Sequence, residues 1–174
     1  SLYLPGNEVG LGWRETLADF ARTVSQYVDV LVLRVYRHDT LDGLAAHSTI
    51  PIVNALSDWS HPCQGLVDLL TVRELFGTEA GRTVAFVGDG NNVARSLAVG
   101  CGKLGMRFVL ACPPGYGFDD RFKAQYRERV SPDVPTEVND PAAAVREADV
   151  IYTDVWTSMG QEAEREERLR RVAP

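Results

Sequence analysis

The chain has 174 residues, 45% hydrophobic and 24% charged, the balance of a protein that folds around a core and is long enough for one ordinary domain or two small halves. Its net charge of −6 excludes bulk electrostatic attraction to nucleic acid, and no apolar run approaches the ~20 residues of a membrane span. Residues 1–6 carry no basic stretch ahead of an apolar segment, so no signal peptide is read there, and the absence of an initiator Met leads us to expect that the natural start lies upstream. Cys63, Cys101 and Cys112 are an odd number without metal-type spacing, which reads as reduced thiols in a cytoplasmic protein. His38, His47 and His61 do not cluster with them, so no metal site is expected.

Helices and strands are expected to alternate. Leu17, Phe20, Ala21, Val24 and Val28 recur at helical spacing, predicting an amphipathic helix over 13–28. Residues 29–36 are almost continuously apolar and β-branched, which predicts a strand buried on both faces of a parallel sheet. A short helix follows, with Thr40 as its N-cap before Leu41, Leu44 and Ala45. Residues 50–55 read as the next strand, with Pro51 near its start, where a missing N–H is tolerated. A longer helix over 62–76 begins with Pro62 at its first position and draws an apolar side from Leu66, Leu69, Leu70 and Val72.

Residues 77–81 break the pattern. A second run then predicts strand 83–88, helix 91–104, strand 107–112, helix 119–129, helix 141–148 capped by Asp140, and strand 149–153. The charged segment 160–172 reads as an exposed helix with Glu164 and Arg168 paired at i,i+4. The expectation is therefore α/β: two three-layer units with parallel sheets and right-handed crossovers, covering 1–60 and 81–174 and joined by a helix and linker over 61–80. The first unit shows two clear strands, too few to close a core alone.

Four places combine polar side chains with strand ends, where open α/β sheets bind ligands. Arg34 lies in an apolar strand and is either one half of an ion pair or an anion clamp, because its guanidinium fork matches phosphate oxygens. Residues 60–64 open a helix directly after a strand, so backbone N–H groups, His61 and Gln64 converge on a natural anion site. There they could stabilise an oxyanion. Residues 88–92 resemble the start of a dinucleotide fingerprint, but Val93 replaces its third glycine and the strand over 107–112 ends without an acid, so the reading of an NAD-dependent oxidoreductase is weak. Asp154, after the last strand, is placed to pair with an ammonium, with Ser158 and Gly160 on a loop that could fold over a ligand. Together these predict a two-substrate site between the units, working by positioning and electrostatics without a covalent intermediate.

At these residues the chain resembles the aspartate and ornithine carbamoyltransferases over essentially its whole length. His61-Pro62-Cys63-Gln64 is similar to the H-P-x-Q motif of that family. Asp154 to Glu162 resembles the D-x-W-x-S-M-G-x-E segment of its ornithine branch, and Gly88 to Asn92 with Ser96 is similar to that branch's G-D-x-x-N-N element. The resemblance implies that carbamoyl phosphate and L-ornithine are the substrates and that no cofactor is needed. Arg34 would contact the phosphate and, with His61, serve catalysis, His61 donating to the carbonyl oxygen and Gln64 lying near the carbamoyl nitrogen. Asn92, Asp154, Ser158 and Met159 would bind ornithine, giving L-citrulline and phosphate in a cytoplasmic homotrimer or multiple of trimers.

The family's S-x-R-T phosphate loop and H-C-L-P motif are not in this sequence, so the expectation is a central portion of the enzyme that is inactive alone. The alternatives are a carbamoyltransferase for putrescine or an N-acylornithine, an aspartate carbamoyltransferase, which should lack Ser158-Met159-Gly160, and a non-catalytic binding protein.

Overall fold

A computed structural model describes residues 1–155; the expected ligand loop with Ser158 and Met159, and the helix over 160–172, lie outside them. Two compact units divide after Asp58. The first contains α1 (Gly6–Val9), α2 (Leu17–Val24), β1 (Leu31–Arg34), α3 (His38–Ala45) and β2 (Ile52–Leu56), and its two strands are parallel. Phe20 and Ala21 of α2 meet Leu44 of α3, with Leu31, Leu33 and Ile52 closing the cluster.

Three expectations for this unit are corrected. The helix predicted over 13–28 is confined to Leu17–Val24. Thr16 caps it by accepting from Asp19 N–H, and residues 25–28 leave the helix in hydrogen-bonded turns. β1 is half-buried with alternating exposure, not covered on both faces: Val32 remains 59% exposed. The cause is that a two-stranded sheet packs only one face here, so apolar content alone overstated burial. α3 begins at His38, three residues before Leu41, and Thr40 lies inside it. Its first amide is satisfied from afar, His38 N–H donating to Asp58 Oδ1 at 2.9 Å.

The second unit comprises α4 (Pro62–Phe76), β3 (Thr83–Val87), α5 (Asn92–Lys103), β4 (Arg107–Ala111), α6 (Asp120–Arg129), β5 (Thr136–Val138), α7 (Pro141–Val145) and β6 (Val150–Thr153). All its strand pairings are parallel, in the order β5-β4-β3-β6. Phe86, Leu97, Leu110 and Phe122 belong to a large core shared with α4, α5 and α6, whereas Ala85, Val109 and Ala111 meet Ala144 of α7. Helices thus cover both faces, giving three layers. Phe86 is fully buried, and a phenylalanine in such a core contributes about 3–5 kcal/mol.

α4 packs through the stripe Gly65, Leu69 and Val72, at i, i+4 and i+7 spacing. A Cβ on Gly65 would lie 3.4 Å from the Ser96 backbone of α5, so a glycine there permits close helix approach. Leu66 and Leu70, expected on the buried side, are instead exposed, one position off that stripe.

Candidate functional site

In the second unit the chain runs from β3 outward through β4 to β5, then returns to place β6 on the other side of β3. The strand order therefore reverses between β3 and β6, and ligands of open α/β sheets bind outside the carboxyl ends at such a switch point. The segment after β3 is Gly88 to Asn92, and the residue after β6 is Asp154. They meet there: Asn91 Nδ2 donates to Asp154 Oδ2 at 3.0 Å. Asn91 is also the N-cap of α5, its Oδ1 accepting from Val93 and Ala94 N–H at 3.0 and 2.9 Å. The other Asp154 oxygen accepts from Val155 N–H at 2.7 Å. A carboxylate oriented this way, beside Asn92 at the first position of a 12-residue helix, can receive a cationic amine, while the helix start favours an anionic group.

The second predicted cluster is tied to the first. His61 is the N-cap of α4 without a side-chain cap bond, and its ring Nδ1 is buried. The His61 N–H donates to Ser96 Oγ at 2.8 Å, and Ser96 O–H donates to Asn92 O at 2.9 Å. Ser96 therefore links the opening of α4 to the first turn of α5. One turn into α4, Gln64 Nε2 donates to Asp68 Oδ1 at 2.8 Å. Tyr152 of β6 adjoins both residues. Its phenol is pushed up to about 12, first by burial and then by the charge of Asp68 and a hydrogen bond to it, with Asp154 adding in the same direction.

Asp68 and Tyr152 are neighbours of the candidate site that sequence reading did not single out; Asn91 and Ser96 lie in the element over 88–96, but their links to Asp154 and His61 were not foreseen. Asn91 was recoverable as an Asn before a helical apolar pattern.

Arg34 belongs to the first unit. It ends β1 at an irregularity, the register stepping from Leu33 opposite Asn54 to Arg34 opposite Leu56. It is exposed, against the expectation of a strand buried on both faces; the open face of the sheet is the reason.

The second glycine of the dinucleotide-like loop has another use. A Cβ on Gly90 would lie 2.8 Å from the Gly117 backbone, and Gly90 N–H donates to Tyr116 O at 2.7 Å. The glycine serves loop-to-loop packing rather than the approach of a pyrophosphate, and β4 ends at Ala111, followed by Cys112, without an acid. Among the described residues no group of His, Cys, Asp and Glu could hold a metal ion, and no helix is long and apolar enough to cross a membrane.

The model of the aspartate/ornithine carbamoyltransferase Asp/Orn-binding domain matches residues 80–174, and that of the carbamoyl-P-binding domain matches residues 2–74. The chain belongs to the aspartate/ornithine carbamoyltransferase family. Within it, the chain is 48% identical to the anabolic ornithine carbamoyltransferase of Pyrococcus furiosus, over 100% of its own length and 56% of that protein's. It is 46% identical to the ornithine carbamoyltransferase of Bacillus subtilis, over 100% of itself and 55% of the relative. The solved Pyrococcus furiosus enzyme superposes with a TM-score of 0.90 over 99% of this chain and 56% of that one, at 48% identity. The Thermus thermophilus enzyme gives 0.83 over 98% and 54%, at 40% identity. The chain thus spans about half the length of the family members it matches.

Proposed function

We propose that this protein catalyses carbamoyl transfer from carbamoyl phosphate to the side-chain amine of L-ornithine, giving L-citrulline and phosphate in arginine biosynthesis. The observation that carries this reading is the Asp154 carboxylate, fixed by Asn91 at the switch point beside Asn92. A carboxylate facing a helix start is suited to a zwitterion carrying both an amine and a carboxylate. The similarity to ornithine carbamoyltransferases, among them the anabolic enzyme of Pyrococcus furiosus, supports the acceptor and the direction.

In this reading Asp154 and Asn92 hold the amino-acid part of ornithine, and Ser158 and Met159 complete its binding, as the family resemblance implies. His61 donates to the carbonyl oxygen of carbamoyl phosphate, Gln64 meets its nitrogen, and Arg34 takes the phosphate. The deprotonated ornithine amine attacks the carbamoyl carbon, and negative charge gathers on the carbonyl oxygen. Donors already aimed at that oxygen stabilise the charge without reorganising. Collapse of the tetrahedral species breaks the C–O bond to phosphate, which leaves with its electron pair and takes up the proton that the attacking nitrogen loses. The same reading carries a cytoplasmic location and a trimeric assembly or multiple of trimers.

The test is an acceptor panel with carbamoyl phosphate and the longest polypeptide that the gene encodes. Citrulline formed from ornithine, with little product from putrescine or N-acetylornithine, is the expected result. A preference for either of the others would reassign the acceptor, and no product from any would leave a binding protein.

A further inference from the structure

Gln64 is a poor choice for a bare hydrogen-bonding tip, because a primary amide can present either its oxygen or its nitrogen to a ligand. Here the amide has a fixed sense. Nε2 donates to Asp68 Oδ1 at 2.8 Å, and a carboxylate is an acceptor only. The partly buried Tyr152 phenol adjoins both residues. The phenol keeps its proton through the neutral range, because burial and the Asp68 charge hold it up to about 12. Nε2 is thereby committed to the Asp68 side, and Oε1, on the other side of the amide carbon, is turned away from it. Asp68 and Tyr152 come from two elements, α4 and β6, so packing of the sheet against the helix holds them in place.

From this geometry we infer that Asp68, assisted by Tyr152, is a positioning residue that turns Gln64 Oε1 toward the ligand and so makes the site select a carbamoyl –NH2 over a methyl group of the same size. An amide oxygen that accepts from the carbamoyl nitrogen is satisfied by carbamoyl phosphate and left unpaired by an acetyl analogue, and sites built to bond a donor reject analogues that lack it. If the amide were free to turn, it would offer an N–H in place of the oxygen and the discrimination would fade. The inference rests on the proposed carbamoyl phosphate reading and adds the residues that enforce its selectivity.

The test uses two stable probes that differ only in –NH2 against –CH3, phosphonoacetamide and acetonylphosphonate. Their dissociation constants are measured by calorimetry on the longest polypeptide that the gene encodes, as wild type, Asp68→Asn, Gln64→Ala and the double variant. Wild type should prefer the amide by about tenfold or more. Asp68→Asn, which lets the Gln64 amide turn, should shrink that ratio severalfold, chiefly by weakening the amide. In the Gln64→Ala background, Asp68→Asn should leave the ratio unchanged. Equal weakening of both probes by Asp68→Asn would reduce Asp68 to a structural residue and overturn the inference, as would a full effect that persists without Gln64. Should Asp68→Asn not fold, Tyr152→Phe carries the test: it removes the hydroxyl beside Asp68 and the Gln64 amide and should lower the ratio, and an unchanged ratio would overturn the inference. Wild type that binds neither probe would refute the carbamoyl phosphate reading itself, and the inference with it.

Discussion

Asn91 holds both ends of one connection: its Oδ1 caps α5 and its Nδ2 bonds Asp154 Oδ2 at 3.0 Å. One nearly buried side chain thus joins a helix start to the carboxylate beyond the neighbouring strand, 63 residues away. Two substitutions separate its two roles. Asn91→Asp keeps an acceptor for the cap but sets a carboxylate against Asp154, so stability should hold while affinity for ornithine falls by at least tenfold. Asn91→Ala loses the cap as well, costing about 1–2 kcal/mol. Thermal unfolding and ornithine titration of the two variants check this; equal ornithine affinity in wild type and Asn91→Asp would sink the role assigned to the Asp154 contact.

The loop that carries Asn91 depends on Gly90. Its missing Cβ is what allows the Gly117 and Phe118 backbones to approach, since that atom would lie 2.8 and 2.9 Å from them. Backbone cannot swing aside as a side chain can. Gly90→Ala should therefore destabilise by about 1–3 kcal/mol through overpacking and displace Asn91 and Asn92. Gly6→Ala, with nothing within 4 Å of the added atom, should be neutral and serves as the control. Denaturant midpoints of the two variants decide it, and equal midpoints would contradict the packing argument.

Much of this was legible in the residues. α4 was placed from 62 to 76 because Pro62, its apolar content and Gly77 mark it by independent chemistry, and the structure returns those bounds. Asp140 announces the start of α7 by the same logic and caps it as expected, whereas Asn91, read as the first residue of the helix over 91–104, is instead the cap of α5. Periodicity without caps served less well: Val28 continued the α2 pattern beyond the turn that ends the helix. β5 was not foreseen, being a three-residue strand after Pro135 with no alternation long enough to read. At the site, His61, Gln64, Asn92 and Asp154 stand out by type and position. The Asp68–Tyr152 and Asn91–Asp154 pairings do not, because each depends on which strands become neighbours.

The thiols should divide sharply by reactivity. Cys101 is fully buried and its thiol is held up to about 12 by burial; Cys112 is held to about 11 by burial first, then by the charges of Glu137 and Asp89. The thiolate is the nucleophile, so neither should react near neutrality. Cys63, half-buried between His61 and Gln64, is accessible. Iodoacetamide at pH 8 should therefore alkylate Cys63 alone in the folded protein and all three cysteines in denaturant, with phosphonoacetamide slowing the reaction at Cys63. Peptide mass mapping reads the sites, and rapid labelling of Cys101 in the native protein would contradict the burial.

The segment after α4 gives a pH signature. Arg73, in the last turn of α4, bonds Glu79 through Nε at 2.8 Å and through Nη2. Hydrogen bonding from Arg73 is the largest influence on the Glu79 carboxyl, lowering it from 4.5 to about 2. A carboxylate whose folded value lies below its unfolded one gives stability that is complete above the unfolded value and lost as protons are taken up. The Glu79 contribution should accordingly be full above pH 4.5 and disappear progressively as pH falls toward 2. Glu79→Gln removes that dependence: the difference in melting temperature between wild type and variant should be constant above pH 5 and narrow below it. A difference that stays constant down to pH 2.5 would mean that the pair does not favour the folded chain through the charge of Glu79.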